Sequence, residues 1–152
     1  IYDAAHHAVA VVHAGWRGAI AHIVERTIDS MHEAYETLPA DCYLFIGPSI
    51  GADSFEVSEE IAEQFRQDMS ALGLSQVDEV VRYIQRDGQT TLTPHVDLKV
   101  YIAACVVQKG VPLKQVAVSS TDTMTTDGCY SYRRDQGGTG RMAMFAVLRD
   151  QA

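Results

Sequence analysis

Val9-Ala10-Val11-Val12-His13-Ala14-Gly15-Trp16-Arg17-Gly18 is the stretch on which the reading of this chain turns. A run of apolar, mostly β-branched residues ends on a histidine, breaks at Gly15 and opens into a long amphipathic pattern. That order predicts a buried strand delivering His13 to a strand-to-helix corner. Upstream, Ile1-Tyr2 and the strand from Ala8 are separated by Asp3-Ala4-Ala5-His6-His7, which reads as a hairpin with most of its first arm missing. The chain opens without a methionine, inside what reads as a strand end, so the expectation is an N-terminally truncated fragment of a single module spanning residues 1–152.

Downstream of the corner, Ile20, Ile23, Val24, Thr27, Ile28, Met31 and Tyr35 fall at helical spacing, and Pro39 stops that helix. Tyr43-Leu44-Phe45-Ile46 reads as a buried strand feeding a loop from Gly47 to Ser54 that carries two glycines and a proline. Ser58 caps a helix running to about Met69, with Ile61 where a capping box needs Glu or Gln. Ala71 to Glu79 reads as a loop and Val80 to Ile84 as a strand, followed by a turn at Asp87-Gly88.

A further helix is expected to start near Pro94, to bury Leu98, Tyr101, Ile102 and Cys105, and to end at Gly110. Val116 to Val118 reads as a strand and Ser119 to Gly128 as a loop. Cys129 to Tyr132 reads as a strand end, Arg133 to Arg141 as a charged loop, and Met142 to Leu148 as a closing strand. Helices alternate with short strands, which predicts an α+β fold with mixed β-sheet layers flanked by helices.

Composition excludes several classes of function. The chain has 152 residues, 47% of them hydrophobic and 21% charged, enough for one globular core. A net charge of −8 argues against a nucleic-acid partner, which needs a basic surface over the phosphates. No apolar run approaches the ~20 residues that cross a bilayer, and the N-terminus lacks a basic segment ahead of an apolar one, so neither a membrane partner nor a signal peptide is expected. Three widely spaced cysteines, Cys42, Cys105 and Cys129, form no disulfide framework and no CxxC knuckle, which points to a reducing cytoplasm.

His13 is the first residue that could carry chemistry, since neutral imidazole is the commonest metal ligand. No His or Cys lies at short spacing on a shared face with it, so position alone also suits a packed core histidine. His6 and His7 fall in the hairpin turn; His22, His32 and His95 read as surface or packing residues without a paired ligand. Arg133, Arg134 and Arg141 are three arginines within nine positions, interrupted by glycines, and could cradle a phosphate or carboxylate. Taken alone, they are better explained by a solvated turn with local ion pairs to Asp127 or Asp135. Gly47 and Gly51 let backbone N–H groups approach a ligand, as in any tight turn. Cys129 suits a nucleophile beside an imidazole, or a small hydrophobe.

The order of these stretches resembles one family. His13-Ala14-Gly15-Trp16-Arg17-Gly18, Gly47-Pro48-Ser49-Ile50-Gly51 with Phe55-Glu56-Val57, Asp97-Leu98, Tyr130-Ser131-Tyr132-Arg133-Arg134-Asp135 and Thr139-Gly140-Arg141-Met142-Ala143 occur as in the YfiH-type laccase-domain family, also called the multicopper polyphenol oxidase family. The resemblance covers nearly the whole chain. It implies an α+β fold like that of bacterial deamidase (CNF-type) toxins, and a zinc site of two histidines and one cysteine.

The histidine of the HAGWRG motif carries onto His13; the other two ligands lie upstream in the family and are not in this sequence. Asp53-Ser54 and Ser120-Thr121 stand where the family often has cysteine-containing pairs. The implied activity is a zinc-dependent purine nucleoside phosphorylase with adenosine deaminase activity, acting on small-molecule purine nucleosides and phosphate. Chemistry, and not the family, nominates Arg17, Arg133, Arg134 and Arg141 as the phosphate or substrate contacts. The alternatives are a copper-dependent phenol oxidase, a catalytically inactive fragment lacking two of three metal ligands, and a Cys–His hydrolase.

Overall fold

The computed structural model describes residues 1–88 and 90–149. Its N-terminal hairpin pairs β1 (Tyr2–Asp3) with β2 (Ala8–Val9) antiparallel, Tyr2 opposite Val9. The turn between them is closed by Asp3, whose buried carboxylate accepts from the Ala5 and His6 amides and from the His6 ring. The predicted strand to His13 stops at Val9, although Ala10 still exchanges both backbone hydrogen bonds with Ile1 at 2.9 Å; residues 11–15 belong to no strand among the described residues. Gly15 then caps α1 (Trp16–Ile20), so the corner stands where the sequence places it.

The long helix predicted from Gly15 to Tyr35 is two. Helix α1 ends at Ile20, and α2 (Ile23–Tyr35) starts after His22, which adopts a left-handed conformation with φ 56°. The apolar periodicity runs through the break, because Ala19, Val24, Ile28 and Met31 still face the core. Glu36, also left-handed, ends α2, and Pro39 opens a short 3-10 turn into β3 (Cys42–Ile46).

Strand β3 is one-sided: Cys42 and Leu44 are buried, whereas Tyr43 and Phe45 are 52% and 56% exposed. It lies between β1, to which it is antiparallel, and β6 (Val116–Val118), to which it is parallel, in a sheet of order β2-β1-β3-β6. The parallel pair needs a crossover, supplied by everything between them. That connection contains α3 (Glu59–Ala71), a short α4 (Val77–Val80) within the predicted loop, a separate β4 (Val81–Ile84)/β5 (Thr93–Val96) hairpin, and α5 (Leu98–Gln108).

Caps fix the helices. Ser58 Oγ accepts from the Ile61 amide at 3.3 Å, and Asp97 Oδ1 from the Lys99 and Val100 amides at 3.0 Å each. Gly110 follows α5 at φ 111°, a backbone state that suits glycine. Pro94 lies inside β5, opposite Tyr83, not at a helix start; a two-stranded sheet is all edge, and an edge tolerates the missing N–H. The core packs α2, α3 and α5 against the sheets around Phe65 and Tyr101, whose rings meet edge-on at 4.8 Å.

Two predicted C-terminal strands are not strands. Residues 129–132 turn instead, with the Asp135 amide donating to the Ser131 carbonyl and the Gly137 amide to the Tyr132 carbonyl. Residues 142–148 pair with no strand among the described residues, and Phe145 is 86% exposed. The α+β class with mixed sheets and flanking helices stands.

Candidate active site: a loop cluster and the His13 corner

Three connections converge at one end of the β3/β6 pair. The parallel ladder continues past the strands as a bridge between Ser49 and Asp122, with the Thr123 amide donating to the Ser49 carbonyl. Asp122 is the hub. Its carboxylate accepts from Ser54 Oγ at 2.5 Å and from the Met124 amide at 2.8 Å. Burial works to raise its pKa, but the Ser54 hydrogen bond, the Gly51 and Met124 amides and the charge of Lys99 outweigh it, holding the carboxyl below the usual range. The approach is close enough that a Cβ on Gly51 would lie 2.7 Å from Asp122 Oδ2, so glycine is required there by space.

Lys99, buried in the first turn of α5, donates from Nζ to the Ser119 and Thr121 carbonyls at 2.8 Å each. It anchors the stretch that carries Asp122. Sequence reading passed over both residues, because the only signal was Lys99's place beside Asp97-Leu98.

The arginine loop folds over this cluster. Arg133 Nη1 donates to the Glu56 carbonyl at 2.9 Å, and its guanidinium lies 5.5 Å from the Phe55 ring centre. Arg133 thus ties the arginine loop to the segment after β3, a contact that sequence reading did not anticipate. Arg134 turns inward on its own loop: Nε donates to Asp135 at 2.8 Å, Nη2 to the Cys129 carbonyl at 2.7 Å and Nη1 to the Met124 carbonyl at 3.3 Å. Its hydrogen bond, with help from Thr139, lowers the Asp135 carboxyl to about 2. Arg141 donates to the Thr139 and Gly140 carbonyls. An open cleft of about 390 Å³ lies over this loop, lined by Arg134, Asp135, Thr139 and Gly140 with Cys129 and Tyr130.

The other predicted residues lie at the corner after β2. His13 and Arg17 are both exposed, with the Arg17 guanidinium stacked 4.3 Å above the Trp16 ring. Among the described residues no hydrogen bond or ion pair joins either of them to Arg133, Arg134 or Arg141.

Zinc needs three or four donors around it. His13 belongs to neither group of three His, Cys, Asp or Glu side chains whose ligand atoms, among the described residues, come within 4.8 Å of one another. The described residues do not by themselves fit a metal at His13. Neither does Cys129 meet an imidazole among the described residues.

A family described as multi-copper polyphenol oxidoreductase laccase matches residues 1–149, and the chain belongs to that family. It is 34% identical over 146 residues to a purine nucleoside phosphorylase of Bacteroides thetaiotaomicron, covering 93% of this chain and 50% of that one. It is 29% identical over 151 residues to the purine nucleoside phosphorylase YlmD of Bacillus subtilis, covering 98% and 50%. The crystal structure of Bacillus licheniformis hypothetical protein YfiH superposes with a TM-score of 0.78 at 30% identity, over 91% of this chain and 49% of the other. The chain thus spans about half the length of the curated relatives it matches. No helix among the described residues is long and apolar enough to cross a membrane.

Proposed function

We propose that these 152 residues form one module of a cytoplasmic purine nucleoside phosphorylase that also deaminates adenosine. The observation that carries this reading is the loop cluster itself: Asp122 and Lys99 fix the glycine loop against the stretch after β6, and Arg133 ties the arginine loop to Glu56 beside it. Its chemistry suits the purine nucleoside phosphorylase activity for which the relatives are named.

Phosphorolysis joins a phosphate oxygen to C1′ of the ribose as the N-glycosidic bond breaks, and the base departs with a proton. Phosphate must be held and its charge spread, which planar guanidinium donors do well. The present contacts sort the four arginines. Arg17 and Arg133 keep N–H groups for an anion, since Arg17 only stacks and Arg133 spends one nitrogen on Glu56. Arg134 and Arg141 are engaged by their own loop and shape the cleft. Zinc, if held by His13 with donors from a longer chain, would supply an activated water for deamination.

The test is release of free base from inosine and adenosine by full-length protein, with and without phosphate. Phosphate-dependent release supports the reading; release that ignores phosphate, or none from active-site-loaded protein, overturns it. The family's name favours one second reading, copper-dependent oxidation of phenols. Copper above one equivalent with oxygen uptake on phenols would replace the first reading by the second.

A further inference from the structure

We propose that His22, Glu25 and Cys105 form a binding site for one divalent transition-metal ion of the zinc type, separate from the His13 corner. The nitrogen, carboxylate oxygen and sulfur of these three side chains lie within 4.8 Å of one another. They come from two elements: His22 and Glu25 from the start of α2, one turn apart, and Cys105 from the middle of α5. Sequence reading left His22 without a paired ligand, because Cys105 is distant in the chain and Glu25 alone is an ordinary helix carboxylate.

Proton accounting at His22 points to a cation. Nε2 lies 3.0 Å from Asp68 Oδ1 on α3, and Nδ1 lies 3.0 Å from Glu25 Oε1. A neutral imidazole carries one N–H. An imidazolium would satisfy both carboxylates, and a metal ion on Nδ1 takes the place of that second proton while the Nε2 N–H stays on Asp68. Cys105 Sγ also converges on that point.

The surroundings have the form of a metal site's outer shell. A ligating histidine usually gives its other N–H to a carboxylate, which fixes the ring. Asp68 does this, and its second oxygen accepts from the buried Tyr101 hydroxyl at 2.5 Å, so the carboxylate is itself held. The backbone adds to the case. His22 is held left-handed at φ 56°, a state L-residues rarely adopt, which places the ring beside Glu25 of α2 and Asp68 of α3.

Donor chemistry selects the ion. A sulfur with a nitrogen and one carboxylate favours zinc or cobalt over magnesium or calcium, which take oxygen sets. Tetrahedral bonds of 2.0–2.3 Å put ligand atoms roughly 3.3–3.8 Å apart, so side-chain rotation of about an ångström closes the set. His22 is 31% exposed in its side chain, which leaves an entry path and room for a water as fourth ligand.

Cobalt(II) titration of the full chain reads the site directly. The expected result is one equivalent bound with tetrahedral d–d bands and a thiolate-to-cobalt charge-transfer band, all displaced by zinc. Cys105→Ser should abolish the charge-transfer band, and Glu25→Gln should weaken binding at least tenfold. His13→Ala and Cys129→Ser should leave the band unchanged.

A missing thiolate band, its survival in Cys105→Ser, or its loss in His13→Ala would overturn the proposal. Should Cys105→Ser fail to fold, X-ray absorption of the zinc-loaded Cys129→Ser chain decides without it. One sulfur among nitrogen and oxygen ligands supports the site, and a sulfur-free shell refutes it.

Discussion

Replacing Lys99 by methionine tests whether one buried ammonium organises the loop cluster. Lys99 Nζ makes two hydrogen bonds of 2.8 Å, to the Ser119 and Thr121 carbonyls. Hydrogen bonds to a charged group contribute about 1.5–3 kcal/mol each, so their loss alone would cost about 3–6 kcal/mol. Methionine fills nearly the same volume and removes the penalty of burying a charge, and the two carbonyls, on half-buried residues, regain water.

The net expected loss is about 2–3 kcal/mol, or about 1–2 M in the urea midpoint for a chain of this size. Lys109→Met provides the control. Lys109 pairs with the exposed Asp29 at the surface, where such pairs contribute below about 1 kcal/mol. Lys99→Met should also raise the Asp122 carboxyl, which loses a neighbouring positive charge. Equal midpoint shifts for the two lysine variants, together with an unmoved Asp122 titration, would refute the role given to Lys99.

Thiol reactivity should divide the cysteines: burial pushes Cys42 up to about 11, and burial with the Glu25 carboxylate pushes Cys105 up to about 12. Mass spectrometry after brief alkylation at pH 8 should therefore find the label on Cys129 first, and rapid labelling of Cys42 or Cys105 in folded protein would contradict the packing. Asp135, lowered to about 2 by Arg134, contributes stability that is present above its unfolded pKa near ~4 and lost as pH falls through about 2. Arg134→Gln should return its carboxyl toward the ordinary range in an NMR titration. Gly51→Ala puts a methyl 2.7 Å from Asp122 Oδ2 and should break the Ser54–Asp122 hydrogen bond, read as an upward move of the Asp122 titration. Asp97→Ala removes the acceptor for two amides at the start of α5 and should cost about 1–2 kcal/mol in urea unfolding.

Local signals explain which parts of this architecture were legible in the sequence. Gly15 after an apolar run, Ser58 before a helix and Gly110 after one each act within a few residues, and each marks a real boundary. The break at His22 was illegible because the apolar stripe of α2 continues the phase of α1 across it. What ends α1 is a tertiary arrangement: hydrogen bonds from the His22 ring to α2 and α3 hold a backbone state the sequence does not announce. Pro94 misled for a similar reason, since a proline suits both a helix start and an unpaired strand edge.

At residues 129–132 the alternation of outside and inside is real, with Ser131 buried between exposed tyrosines, but hydrogen bonds within the loop satisfy the backbone. Among the site residues, the contact of Arg133 with the Glu56 carbonyl joins segments far apart in sequence and had no local signal. Lys99 and Asp122 stand far apart in sequence, and nothing local marks either.

Helix α5 explains why the loop cluster and the helix junction can coexist in one small core. At 3.6 residues per turn, Lys99 and Tyr101 point about 200° apart, and Cys105 returns to within about 40° of Tyr101. The helix is buried on both sides, so one side can serve the loops and the other the junction of α2 and α3. Lys99 reaches the carbonyls around Asp122, while Tyr101 and Cys105 reach Asp68 and the His22–Glu25 pair. Each side ends on a carboxylate that gathers donors from separate elements, and a carboxylate so surrounded is costly to disturb, because every freed donor loses a charged partner. A shift of α5 toward one hub therefore draws it from the other. Displacing α5 along its axis would therefore disturb both hubs at once, because Lys99 and Tyr101 are fixed to the same helix.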